Sequence, residues 1–461
     1  MSRILVITVL ILLGPPATRW LARADDQAII GRIEEFFRSD DPEKLTQITN
    51  LIADDPSFDR VLLSDWLHRA RLYQLVEPGT TTIEVPQTEG RARRLTVRVP
   101  PAYDPRRPYP VVYTLPNSGQ SSIDAILAAE KSLGGIAGAF LIAAPDDSQP
   151  KSLAEDWPPS ADLPACLTEL RRRYHVQSDR VYLLAVGSSG GDAGDLGWTS
   201  AALYADQLAG AILAGGALRL PGNDALYGRF APNLARLPIL IAAPSGESAT
   251  SQPIDAPALH ARLAATANRA GIKMPWTTLG PDAAARALAE QRWPADQLQN
   301  QLAAAREHAP RKLRHCFRHA AEAHAYWLEG RDWLGAQWDD KPLRPARSST
   351  TAPADDDAAI ARAIGDRLGE LSGEIRDQEI IVNRKGVAEL TVWVIDDMIQ
   401  WSRAVRVQCQ GDTVFHGQLK PDLLLCLTLA EQTRDFDFLR WSAIRWKAGQ
   451  KGRILKTSDL P

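Results

Sequence analysis

The sequence predicts an α/β protein: a doubly wound, mostly parallel sheet, with a helical segment ahead of it and a small β domain behind it. Three observations predict this. Five short apolar runs, Val111 to Leu115, Ala139 to Ala144, Val181 to Val186, Gly210 to Ala214 and Pro238 to Ala243, are separated by helical or loop sequence. Strands apolar on both faces belong to a parallel sheet that helices cover on both sides. Ahead of this block Ile29, Ile30, Ile33, Phe36 and Phe37 recur at helical spacing. Behind it, Glu379 to Val382, Leu390 to Ile395, Val405 to Gln408 and Trp441 to Trp446 alternate or run apolar as strands do.

In chain order, Met1-Ser2-Arg3, the apolar run Ile4 to Leu13 and Ala22-Arg23-Ala24 read as a secretory signal peptide over 1–24, which predicts export to the periplasm or beyond. Ten apolar residues are about half of what a membrane-spanning helix needs, so no stable span is expected after cleavage. Residues 25–78 form the helical segment, with Asp41-Pro42-Glu43 opening its second helix. From Thr80 the period becomes that of strands, and Thr82 to Val85 with Leu95 to Val99 reads as an antiparallel pair at the start of a domain over 79–340. Residues 341–357, rich in Pro, Ser and Thr, read as a linker. A β-rich, sandwich-like domain over 358–461 follows, with a short helix near Ala358 to Leu371 and an amphipathic one from Asp422 to Glu431.

The composition narrows the function. The formal charge is −3, and losing the three arginines of residues 1–24 takes it to −6, too acidic for a nucleic-acid partner. The four cysteines form no CxxC pair, so neither a zinc site nor a disulfide framework is predicted, and no cofactor is expected. Cys409 and Cys426 are read either as a bridge inside the last domain or as buried free thiols. His315 and His319 would share a face if helical, but the arginines around them argue against a metal.

The strongest chemical signal is Gly187-Ser188-Ser189-Gly190-Gly191, a G-x-S-x-G pattern directly after the strand Val181 to Val186 and ahead of a small-residue stretch able to start a helix. Strand, tight turn and helix in that order are what a nucleophile elbow requires, and small neighbours let the turn lift the serine hydroxyl clear.

Around this motif the chain resembles secreted bacterial α/β-hydrolases of the esterase, dienelactone-hydrolase and prolyl-oligopeptidase-like group. The resemblance rests on Pro110 to Gly119, Ala144-Pro145-Asp146, Asp179 to Leu183 and Gly187 to Asp192. It implies an α/β-hydrolase fold over roughly Thr80 to Asp340, Ser189 as nucleophile, the Gly190 N–H in the oxyanion hole, and a small-molecule or peptide ester as substrate. Three departures accompany it. Pro116-Asn117 replaces the family's His-Gly, and proline has no N–H to give, which leaves Ser118 or Asn117 as the second oxyanion donor. Ala249 stands where the family carries its aspartate, with Glu247 the nearest substitute and Asp255 the next. Gly280 to Ala283 lacks the histidine, so the base must come from His308, His315, His319 or His324, of which His324 is taken forward. Trp157, Trp198 and Tyr204 could line a cleft or fill the core.

A serine hydroxyl without its base loses about 10²–10⁴ in rate. The expectation is therefore an exported serine hydrolase-like protein with Ser189, Glu247 and His324 as the catalytic residues. The alternative is a pseudo-hydrolase in which the cleft, or the last domain with a partner still open, serves as a binding or envelope-associated module.

Overall fold

The computed structural model describes residues 26–86, 93–117, 119–146, 162–187, 192–218, 224–243, 256–318, 320–334 and 365–460. The described residues begin with three α-helices, α1 (Asp26–Phe36), α2 (Pro42–Ala53) and α3 (Leu63–Arg69). Asp41 caps α2 by accepting from the Glu43 N–H, with Pro42 in the first turn. The apolar stripe of α1, Ile29, Ile30, Ile33 and Phe36, is buried.

An eight-stranded sheet follows, in the order β1 (Gly79–Val85), β2 (Arg93–Val99), β4 (Leu141–Pro145), β3 (Tyr109–Thr114), β5 (Val176–Val186), β6 (Gly210–Ala214), β7 (Ile239–Ala242) and β8 (Trp276–Thr278). β1, β2 and β4 pair antiparallel, as the sequence predicts for the first pair, and every pairing from β4 to β8 is parallel. Alternate residues serve opposite faces. Val111, Leu183, Ala185, Leu213 and Ile241 pack beneath α5 (Asp162–Arg173), α6 (Asp192–Leu203), α7 (Asp224–Leu234) and α8 (Ala256–Arg269). Val112, Tyr182, Leu184, Ile212 and Leu240 pack against α4 (Ser122–Leu133), α9 (Pro281–Glu290) and α10 (Ala295–Leu302). This two-sided burial is why the runs read as continuously apolar.

The strand order contains a switch. From β3 the chain crosses to β4 on one side, whereas β5, on the other side of β3, leads away to β6. The loops leaving β3 and β5 therefore diverge, and in such sheets the crevice at the carboxyl ends of those two strands is the customary ligand site.

Two five-stranded sheets complete the chain. One runs β10 (His324–Ala325), β11 (Leu328–Trp333), β14 (Val387–Val394), β17 (Ser442–Lys447), β18 (Arg453–Ile454); the other runs β16 (Asp412–Gln418), β15 (Ala404–Cys409), β13 (Glu379–Lys385), β12 (Gly369–Arg376), β9 (Lys312–Phe317). Their inner faces share one core that includes Trp327, Leu371, Val392 and Val407. β9 and β11, which precede residues 341–357, pair with β12 and β14, which follow them. Leu371, expected in a helix, lies in β12, where its partner is His315. The helix expected from Asp422 is α11 (Leu423–Thr433), and its Cys426 and Leu427 share a buried cluster with Ile33, Trp66 and Phe436. All four cysteines are free and buried, so Cys409 and Cys426 are not bridged. Among the described residues no helix is long and apolar enough to cross a membrane. The signal peptide expected over 1–24 lies outside the described residues.

Candidate active site

The divergence of β3 and β5 puts two segments side by side: Leu115 to Asn117 beyond β3, and Gly187 beyond β5. The Gly187 N–H donates to the Ala214 carbonyl at 2.7 Å, extending the β5–β6 ladder by one residue. The Asn117 side chain donates to the Val186 carbonyl at 2.8 Å and ties the two strand ends together. Its amide also donates to Gln120 Oε1 at 3.2 Å, and the Asn117 N–H donates to the same oxygen at 3.1 Å. These bonds engage Asn117, so the option of Asn117 as an oxyanion donor is withdrawn.

Helix α6 starts at Asp192 and sits almost backbone on backbone against the turn after β6. A Cβ on Gly194 would lie 2.8 Å from the Gly215 carbonyl carbon, and one on Gly197 would lie 2.4 Å from Ala185 Cβ. Gly215 and Gly216 hold φ of +66° and +63°, where side chains are disfavoured. Buried Asp195 accepts from the Ala217 N–H at 2.8 Å and holds that turn to the helix. Small residues after the G-x-S-x-G pattern thus serve close helix-to-sheet packing at the strand's carboxyl end.

Ser189, Gly190, Ser118 and Glu247, together with Asp255, His319 and Trp157, lie outside the described residues. His324 is described, and its place corrects the expectation. Its Nδ1 is 3.1 Å from Asp206 Oδ2, and its ring stacks on Tyr204. Asp206 precedes β6, at the amino edge of the sheet, whereas Ser189 follows the carboxyl end of the neighbouring β5. The five residues of β6, at about 3.3 Å each, separate those edges by roughly 15 Å. Burial alone would lower the His324 pKa, but the Asp206 carboxylate raises it, and the imidazolium in turn lowers Asp206 against its own burial. The pair has the geometry of a base and its orienting acid, at the wrong end of the strands.

The remaining candidates are engaged elsewhere. His308 Nε2 contacts Asp179 Oδ1 at 2.5 Å, near the start of β5. His315 lies on strand β9, which removes the helical premise of a His315–His319 metal pair, and its Nε2 donates to the Glu322 carbonyl at 2.9 Å. Trp198 and Tyr204 are fully buried core residues rather than cleft lining.

Sequence reasoning passed over His260, the histidine among the described residues that sits on the carboxyl half of the sheet. It lies one turn into α8, its ring tilted at 36° to that of Trp198 with the centroids 4.6 Å apart, and beside Gly216. Among the described residues its Nε2 is shut off from solvent and finds no hydrogen-bond partner. Burial lowers its pKa to about 4, with the Gly216 backbone opposing, so the ring is neutral at physiological pH and keeps a basic nitrogen. It precedes the last sheet strand, whereas the resemblance places the histidine after that strand.

Charge gathers instead at the amino edge. Arg306 forms a two-pronged pair with Asp435, both bonds at 2.9 Å, and reaches Asp179 at 3.3 Å. Burial would raise Asp435, but Arg306 and Arg171 hold its carboxyl far below the usual range. Beside them His68, His175 and Asp437 form a hydrogen-bonded chain. A cavity of about 330 Å³ lined by Arg384, Cys409 and Trp446 lies within the C-terminal sheets, apart from both edges.

Neither a protein-family model nor a curated protein matches the chain. Solved structures similar to it include a thermostable esterase (17% identity, 43% of this chain, 54% of that chain, TM-score 0.32). A poly(3-hydroxybutyrate) depolymerase from Bordetella parapertussis is similar over 51% of this chain and 98% of its own, at 18% identity and TM-score 0.35. An S-formylglutathione hydrolase from Agrobacterium tumefaciens is similar over 50% and 98%, at 14% identity and TM-score 0.34. The chain spans about half the length of the thermostable esterase. Likenesses of this extent add no evidence about activity.

Proposed function

We propose that this chain is an exported serine hydrolase-like protein of the α/β-hydrolase kind, acting on ester or peptide acyl groups with Ser189 as nucleophile. One observation carries the reading: the G-x-S-x-G pattern leaves β5 where the β3 and β5 connections diverge, in front of a helix whose glycines pack on the next turn. In this reading the Ser189 hydroxyl attacks the acyl carbon and a base takes its proton. The acyl group passes to the serine oxygen, the leaving group departs with a proton, and water then releases the acid. The Gly190 N–H and Ser118 steady the oxyanion, and Glu247 is the acid. The base is His260 in place of His324. Export follows from the signal peptide, and N-terminal sequencing of secreted protein should begin at Asp25.

A second reading, a pseudo-hydrolase that binds a partner, is favoured by a specific observation: the oriented Asp206–His324 pair stands at the opposite edge from the elbow. Fluorophosphonate labelling decides between them. The hydrolase reading expects labelling of the wild-type chain that Ser189→Ala abolishes and His260→Gln reduces about 100-fold or more, the general-base contribution. A folded wild-type protein that takes no label sinks it and leaves the binding module.

A further inference from the structure

Away from the elbow, where three separate parts of the sequence meet, two buried histidines face each other. His68, on α3, places Nδ1 2.9 Å from Nε2 of His175, which lies just before β5. His68 Nε2 is 2.8 Å from Asp437 Oδ1, beyond α11, and His175 Nδ1 is 2.9 Å from the Pro105 carbonyl. Proton arithmetic follows from these three contacts. A carbonyl and a carboxylate only accept, so His175 Nδ1 and His68 Nε2 each carry a hydrogen. The nitrogens that face each other at 2.9 Å need one more between them. Two neutral imidazoles hold two such hydrogens, and this arrangement holds three.

We infer that His68 and His175 share one extra proton at neutral pH, and that this proton latches the N-terminal helices and the Asp437 segment onto the amino edge of the sheet. Its surroundings are consistent in charge. The pair faces Asp437 directly, and beyond it Arg171, Arg306 and the buried Arg440 stand against Asp435 and Asp179. Farther out, Asp65 on α3 and Asp104 near Pro105 also favour a proton, and His308 is held on Asp179. Tyr73 stacks on His175 at 4.8 Å, and Phe436 closes over His68 edge-on. Burial would lower His68, but Asp437 raises it; burial and then the His68 charge lower His175 to about 3.

The latch has two failure limits. Removing the proton leaves two acceptors facing each other beside an uncompensated Asp437; adding a second sets two N–H groups and two cations against each other. Both limits weaken the join between segments that lie 107 and 369 residues apart. The test uses the full chain with ¹⁵N-labelled histidine, read by nitrogen shifts, with hydrogen exchange of α1 to α3 followed across pH and corrected for intrinsic rates. The expected result is one imidazolium for the two rings at pH 7, and exchange in α1 to α3 that accelerates at least tenfold as the pair takes up its second proton. Asp437→Asn should move loss of the shared proton to lower pH. Two neutral rings at pH 7 overturn the shared proton; a shared proton with exchange indifferent to its titration overturns the latch. If Asp437→Asn does not fold, the wild-type titration alone decides.

Discussion

The two edges of the main sheet are built from opposite materials. At the carboxyl edge glycines bring helix and turn into near backbone contact, and the polar side chains there, Asn117, Asp146 and Asp195, are tied to neighbouring backbone or hydroxyl groups. At the amino edge stand His68, His175, His308, His324, Asp179, Asp206, Arg306 and Asp435, hydrogen-bonded across large sequence separations. Titratable side chains alone therefore do not locate chemistry in this fold. Perturbed groups cluster at catalytic sites and also at structural ion networks, and only position relative to the strand ends separates the two. Here the charged edge joins the N-terminal helices, the main sheet and the C-terminal sheets, and the other edge is the one the G-x-S-x-G pattern follows in sequence.

The sharpest way to break this contrast is Arg306→Ala. Removing a buried cation that serves Asp435 and Asp179 should cost about 3–5 kcal/mol in chemical denaturation, with the N-terminal helices and the C-terminal sheets losing protection together. A loss below 1 kcal/mol would mean that the amino edge is not what joins the parts.

The next effect is a pH dependence. The unfolded chain protonates His175 below about pH 6.5, whereas the folded chain resists until about 3. The unfolded state then binds more protons in that window, so stability falls as pH drops through it, by an expected few kcal/mol. His68 acts in the opposite sense: its raised pKa contributes stability that is full below its unfolded value and is lost as pH rises through the folded one. His175→Gln should flatten the acid limb of a urea-midpoint series, and an unchanged limb would contradict the assignment.

At the other edge, Gly197→Val should cost about 1–3 kcal/mol by forcing α6 off Ala185, and should abolish any labelling of Ser189 by moving the elbow. Labelling that survives would dissociate the helix packing from the serine. The smallest effect belongs to His324→Gln, about 1 kcal/mol from the weakened Asp206 contact, with labelling unchanged. A loss of labelling there would return His324 to the site and erase the contrast between the edges.

Much of this was legible from local pattern. The five apolar runs are β3 to β7, because a strand buried on both faces must be apolar at every position. The glycines and small residues after Val186 announced a tight junction, and Gly194 and Gly197 are used for it. The site's polar partners were not legible. His324 lies within a few residues of Tyr326 and Trp327 in sequence, yet its partner is Asp206, 118 residues away, and no local signal marks that contact. His260 was missed for a related reason: nothing local to it signals enclosure, and only the packing of α8 against Trp198 buries its ring. The stretch 341–357 reads as a break, but strands on both sides of it pair with each other, because sheets accept partners without regard to sequence distance.

The sequence by itself determined the helices ahead of the sheet, the five apolar strands and the strand that runs into the G-x-S-x-G pattern, since these depend on periodicity and on residues adjacent in the chain. Only the tertiary structure decided which histidine faces which carboxylate, and at which end of the strands. Hydrogen bonds of this kind form between side chains that folding brings within about 3 Å, whatever their separation along the chain.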